Sequence, residues 1–265
     1  MKGLRELCLS ILIALFLISG VTYAQSPAEE SYYKGVEHAI QGKFRKAKKE
    51  FEKTLTIDSF YSPAELSLET IKDVIEQKIK TETAIHLFKG TSYTKKGQYD
   101  KAINDYNKAI EINPKFAVAY INRGLAYRRK GQYNQAISDF NKAIEINPKF
   151  ALAYTNRGLA YINKAQYDRA ISDFNKAIEI NPKFALAYTN RGLVYRKKGQ
   201  YDQAISDYNK AIKINPKFAL AYDNRGFVYL VKLGNEIKGC ADWEKACELG
   251  SCKNYNHAKQ NDYCL

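Results

Sequence analysis

Side chains with chemical potential recur in this sequence at a fixed step. Asn122, Asn156, Asn190 and Asn224 lie thirty-four positions apart, and Arg123, Arg157, Arg191 and Arg225 follow them directly. An amide side chain both donates and accepts, so a row of asparagines suits the peptide groups of an extended chain whatever that chain's sequence. A row of arginines suits anions, or ion pairs inside the fold. Asp105, Asp139, Asp173 and Asp207 keep the same step, and internal pairing is preferred because an uncompensated buried charge is costly. Catalysis has no comparable pattern. The three histidines, His38, His86 and His257, fall in unrelated places, and the chain contains no phosphate loop, nucleophile elbow or metal-protease motif. The reading is a binding protein with no catalytic residue, no metal and no cofactor.

Cysteine carries the remaining chemistry. Lys2 and Arg5 precede the apolar run from Leu7 to Ile18, and Thr22-Tyr23-Ala24 supplies the small residues of a signal-peptidase site. The run is short of the roughly twenty residues that span a bilayer. This predicts a signal peptide over 1–24, cut after Ala24, and a periplasmic or secreted chain starting at Gln25. Beyond it the cysteines are Cys240, Cys247, Cys252 and Cys264, an even number that suggests disulfides in an exported protein. Cys240 and Cys247 are two helical turns apart, and Cys252 and Cys264 follow the break at Gly250. Four cysteines allow three pairings; an antiparallel return suits the nested one, Cys247 with Cys252 and Cys240 with Cys264. A zinc site using His257 is the alternative, at a spacing that fits no common pattern.

These residues need elements to position them, and the period supplies the elements. Asn141 to Leu159 recurs unchanged at Asn175 to Leu193, and Pro114, Pro148, Pro182 and Pro216 keep the same step. A fixed period of this length marks a solenoid or array. Within 117–150, Tyr120, Gly124 and Tyr127 fall at helical steps, as do Ala136, Phe140 and Ala143 in the second half. Gly131 stops the first helix and Pro148 the second, which makes the unit an αα-hairpin.

Tyr120, Gly124, Tyr127, Ala136, Phe140 and Pro148 resemble the tetratricopeptide repeat pattern, with Tyr for its Trp and Arg123 for its Leu. The resemblance covers regular units at 83–116, 117–150, 151–184 and 185–218, and a divergent one within 25–61. The stretch 62–82 reads as an additional helix beginning at Pro63. A degenerate unit and cysteine-containing cap fill 219–265, where the period gains about one residue between Leu233 and Ile237. The resemblance implies an all-α, right-handed solenoid of αα-hairpins whose first helices line a concave groove. It also implies that the asparagine row faces that groove, with Thr155, Thr189, Leu159 and Leu193 beside it and Arg128, Arg196 and Lys197 at the helix ends. The lysines of a carboxylate clamp are missing from that face.

Charge narrows the partner. The formal net charge is +14, and residues 83–218 hold 24 basic against 10 acidic residues, whereas the flanking segments balance. Cations at the ends of the first helices are favoured by the helix dipole, and together they form a surface that steers acidic partners. The expected function is a non-enzymatic scaffold holding an extended protein segment. Nucleic acid or another polyanion on the basic surface, or an envelope hydrolase, is the alternative.

Overall fold

A computed structural model of the chain describes residues 26–261 together with Tyr263 and Cys264. The signal segment lies outside the described residues. Among them the chain is all-α: α1 (Pro27–Ile40), α2 (Phe44–Ile57), α3 (Ser62–Ile75), α4 (Thr81–Lys95), α5 (Tyr99–Ile112), α6 (Ala117–Arg129), α7 (Tyr133–Ile146), α8 (Ala151–Asn163), α9 (Tyr167–Ile180), α10 (Ala185–Lys197), α11 (Tyr201–Ile214), α12 (Ala219–Phe227), α13 (Glu236–Glu248) and α14 (Lys253–Gln260). The pairs α1/α2, α4/α5, α6/α7, α8/α9, α10/α11 and α12/α13 are hairpins stacked in chain order.

Close approach of the two helices explains the fixed glycine in each hairpin. A Cβ placed on Gly124 would lie 2.7 Å from the Phe140 ring, and one on Gly158 would lie 2.7 Å from that of Phe174. The same relation joins Gly35 to Phe51 and Gly226 to Trp243, so the divergent first hairpin and the last one pack like the regular ones. Ala136, Phe140 and Ala143 are wholly buried on α7, as are Ala170, Phe174 and Ala177 on α9. On the first helices burial extends to Ala119, Ile121 and Ala126 of α6, because that layer also touches the hairpins before and after it.

Turn chemistry fixes the reversals. Asn113, Asn147, Asn181 and Asn215 each accept a bond at 3.0–3.1 Å from the main-chain N–H of the lysine two residues on, around the proline that ends the second helix. Within the hairpins the first helix ends at a left-handed residue, glycine at Gly97 (φ 68°), Gly131 (φ 77°) and Gly199 (φ 76°) but alanine at Ala165 (φ 54°). A Cβ in that conformation costs energy that glycine avoids. Ala165→Gly is therefore expected to raise stability by about 0.5–1 kcal/mol, two or three degrees in Tm; an unchanged or lower Tm would show that the turn is unstrained.

Two irregular segments depart from the period. After α2 the chain inserts α3, which packs against α2 and lightly against α4, while α4 docks on α1 and the rings of Phe51 and Phe88 stack at 5.8 Å between centroids. The helix is shorter than the apolar spacing from Leu66 to Ile79 suggested: it starts at Ser62, ends at Ile75, turns through Gln77 at φ 57°, and Ile79 reaches the N-terminal core from the loop. Near the other end, α12 runs into a π-helical turn over Val228–Lys232, where the Leu233 N–H donates to Val228 O at 3.1 Å. That turn holds one residue more than an α-helix would, and it absorbs the extra residue of this unit.

The cysteines bracket α14. Disulfides join Cys247 to Cys252 at its start and Cys240 to Cys264 beyond its end. This eight-residue helix fully buries only Ala258, so packing alone contributes little to holding it. Reduction is expected to cost about 2–4 kcal/mol and to leave α14 exchanging its amide hydrogens while α4–α11 stay protected. Equal protection of α14 in the reduced and oxidised protein would contradict this.

Candidate binding groove

The arginine row lies inside the stack. Arg157 donates from Nε and Nη2 to the Asp173 carboxylate at 2.9 and 2.6 Å, and from Nη1 to Asn141 Oδ1 of the preceding hairpin at 2.7 Å. Arg123 binds Asp139 and Asn107, Arg191 binds Asp207 and Asn175, and Arg225 binds Asp242 and Asn209 in the same way. Each guanidinium also lies 5.5–5.6 Å from the ring of the tyrosine three residues before it. Because Asn141, Asn175 and Asn209 each sit two residues after an aspartate that the previous arginine clamps, the bonds run hairpin to hairpin as one spine. At its N-terminal end His86 Nδ1 meets Asp105 at 2.8 Å. Burial pushes the Asp139 and Asp173 carboxyls upward against the pull of their arginines, so the spine is held by geometry in a partly dry seam. The cross-repeat asparagines were missed in the sequence, although their constant sixteen-residue distance from the arginines was there to be read.

A second line of contacts runs along the hairpin loops. Lys130 pairs with Asp100, Lys164 donates to Asn134, and Lys198 donates to Asp168 at 2.6 Å. Each of these lysines, at the end of a first helix, thus has a neighbour in the preceding hairpin.

The first helices form their own layer, α4 touching α6, α6 touching α8, α8 touching α10 and α10 touching α12. Direct contact makes these helices one continuous layer along the stack. Along that layer Val118, Leu152, Leu186 and Leu220 recur as the second residue of each helix. Leu220 is 43% exposed, and the other three are half-buried. Leu159 and Leu193, half-buried, lie two turns further along. The result is an apolar strip along the layer of first helices.

The polar residues expected there divide. Asn122 and Asn224 are partly open, with Asn224 donating to Leu220 O at 2.9 Å. Asn156 and Asn190 are buried; Asn156 donates to Leu152 O at 3.0 Å, and the Asn190 amide nitrogen has no hydrogen-bond partner among the described residues. The middle of the asparagine row thus offers a partner less than its ends do. Thr155 and Thr189 must be removed from the surface altogether. They are 0% and 1% exposed, and their hydroxyls donate to Ala151 O and Ala185 O one turn back, because their helical position faces the next first helix. Lys197 is exposed. Arg128 and Arg196 are half-buried, and each has a buried Nε without an acceptor.

Comparison with known proteins bears on the geometry directly. Models of the TPR repeat match residues 90–131 and 124–165, and models of the tetratricopeptide repeat match 151–184 and 185–218. A solved structure of MamA is 32% identical over 64% of this chain and 96% of its own, with a TM-score of 0.51. The chain belongs to the tetratricopeptide repeat family. A second MamA structure is 30% identical over 68% of this chain and 94% of its own, also at a TM-score of 0.51. TTC0263, a thermophilic protein of Thermus thermophilus, shares the fold at 21% identity and a TM-score of 0.60, covering 68% of this chain and 98% of its own. No curated protein matches the chain significantly. The spine accounts for the two departures from the tetratricopeptide repeat pattern: arginine replaces leucine where it can reach both Asp and Asn, and tyrosine replaces tryptophan beside that guanidinium.

Proposed function

We propose that this tetratricopeptide repeat chain is a non-enzymatic scaffold that holds an extended segment of a partner protein along its inner groove, in the cell envelope or outside the cell. The observation that carries the reading is the apolar strip from Val118 to Leu220. Leucine left open to water at one end of a regular row gains by covering, at about 25 cal/mol per Å² of apolar surface. The open amides of Asn122 and Asn224 fit the backbone of such a segment. Asn156 and Asn190 support the groove from below, and truncating them would lower stability along with binding. Exposed Lys197 adds charge at the rim.

The location rests on the first twenty-four residues and on two disulfides, which form and persist in oxidising compartments. The protein is expected to be recovered from the envelope or medium of its host with Gln25 as its first residue. In a pull-down from that fraction, Leu186→Asp with Leu220→Asp should lose the captured partner while melting within a few degrees of the parent chain. An intact Met1 on cytoplasmic material would refute the location. Unchanged capture by the double variant would refute the groove.

A further inference from the structure

Arg128 and Arg196 differ from the arginines of the spine. Every spine guanidinium has a carboxylate and an amide, yet neither Arg128 nor Arg196 makes an ion pair among the described residues, and both carry a buried Nε with no acceptor. They hold the same place in their hairpins, three residues after Leu125 and Leu193, in the last turn of a first helix. Arg196 lies 4.4 Å from the ring of Phe227 on the next first helix and beside the Tyr208 hydroxyl of its own hairpin, with Asp223 near enough for its carboxylate to feel the charge. Arg128 has no such compensation, and burial, with repulsion from Arg129, holds its guanidinium below the ordinary value. The intervening hairpin carries Ile162 at this place. A half-buried, unpaired cation is unfavourable until an anion reaches it.

Building on the groove reading above, we infer that the bound segment carries two acidic side chains, one for Arg128 and one for Arg196, with apolar residues between them. Packed helix axes lie about 8–10 Å apart, so the two steps from α6 through α8 to α10 span roughly 16–20 Å. An extended chain covers that in about five or six residues at roughly 3.3 Å each. The apolar residues in between fall over Leu159 and Ile162, near the same end of α8. The ligand is thus an internal acidic pair, read by spacing, and needs no chain terminus.

The test uses the full chain and a set of N-acetylated, C-amidated peptides of Ala, Leu and Ser, with two Glu or two Gln placed three to nine residues apart. Glu pairs about six apart should bind at least tenfold tighter than the matching Gln pairs. Arg128→Gln and Arg196→Gln should each remove most of that preference while binding the Gln peptides like the parent. Arg128→Lys should keep part of the preference, which tells lost charge from a damaged fold. Glu and Gln peptides binding alike would overturn the acidic pair and leave the groove reading standing. Binding of no peptide at all would overturn both. A single-stranded oligothymidylate bound more tightly than every peptide would overturn the pair in favour of a phosphate-tracking surface.

Discussion

Gly158→Leu is expected to cost about 3 kcal/mol or more and to divide the array in two. The first methylene would lie 2.7 Å from the Phe174 ring, which is itself fully buried, so the ring has nowhere to go. Overpacking of a filled core typically costs about 1–3 kcal/mol, and a branched side chain between two helices adds the work of separating them. Stability in a solenoid is a sum of unit and neighbour terms, so the loss should localise. Hydrogen exchange should show α8 and α9 unprotected, with α4–α6 and α11–α13 less affected. Uniform loss of protection would mean that the stack unfolds as one body, and a parental melting curve would mean that the helices are not in contact at this glycine.

Arg157→Ala carries the second large effect. Its partner Asp173 keeps only 7% of its side chain exposed, against 21% for the arginine. Removing one member of a buried pair costs about 3–5 kcal/mol, and the partial exposure of this arginine reduces the expectation to about 2–4 kcal/mol. The same change frees Asn141 and cuts the link between α7 and α8. Replacing the pair with apolar residues, Arg157→Met with Asp173→Leu, should recover much of the loss because no charge is left stranded. A double variant no more stable than Arg157→Ala would show that the bond to Asn141, and not the ion pair, holds the hairpins together.

The hairpins were legible in the sequence because their signals are local and repeated. Glycine and proline mark helix ends wherever they fall, and Tyr, Gly, Ala and Phe at helical steps define which face is buried before any neighbour is known. The preference for arginine paired with aspartate followed from the cost of burying charge. The groove residues were less legible. Thr155 and Leu159 lie one helical turn apart and read alike on a helical wheel, yet one is sealed against the next first helix and the other is half-buried.

The sequence by itself determined the period, the two helices of each unit, the break at 62–82 and the extra residue near the C-terminus, since each depends on steps of three, four or thirty-four residues. Only the tertiary structure decided that a π-helical turn takes up that residue and that Asn107, Asn141, Asn175 and Asn209 tie one hairpin to the next. Only the tertiary structure, too, left Arg128 and Arg196 without an ion pair among the described residues. These outcomes depend on the distance between neighbouring hairpins, which is set by side chains packing across units and is therefore not written in any one of them.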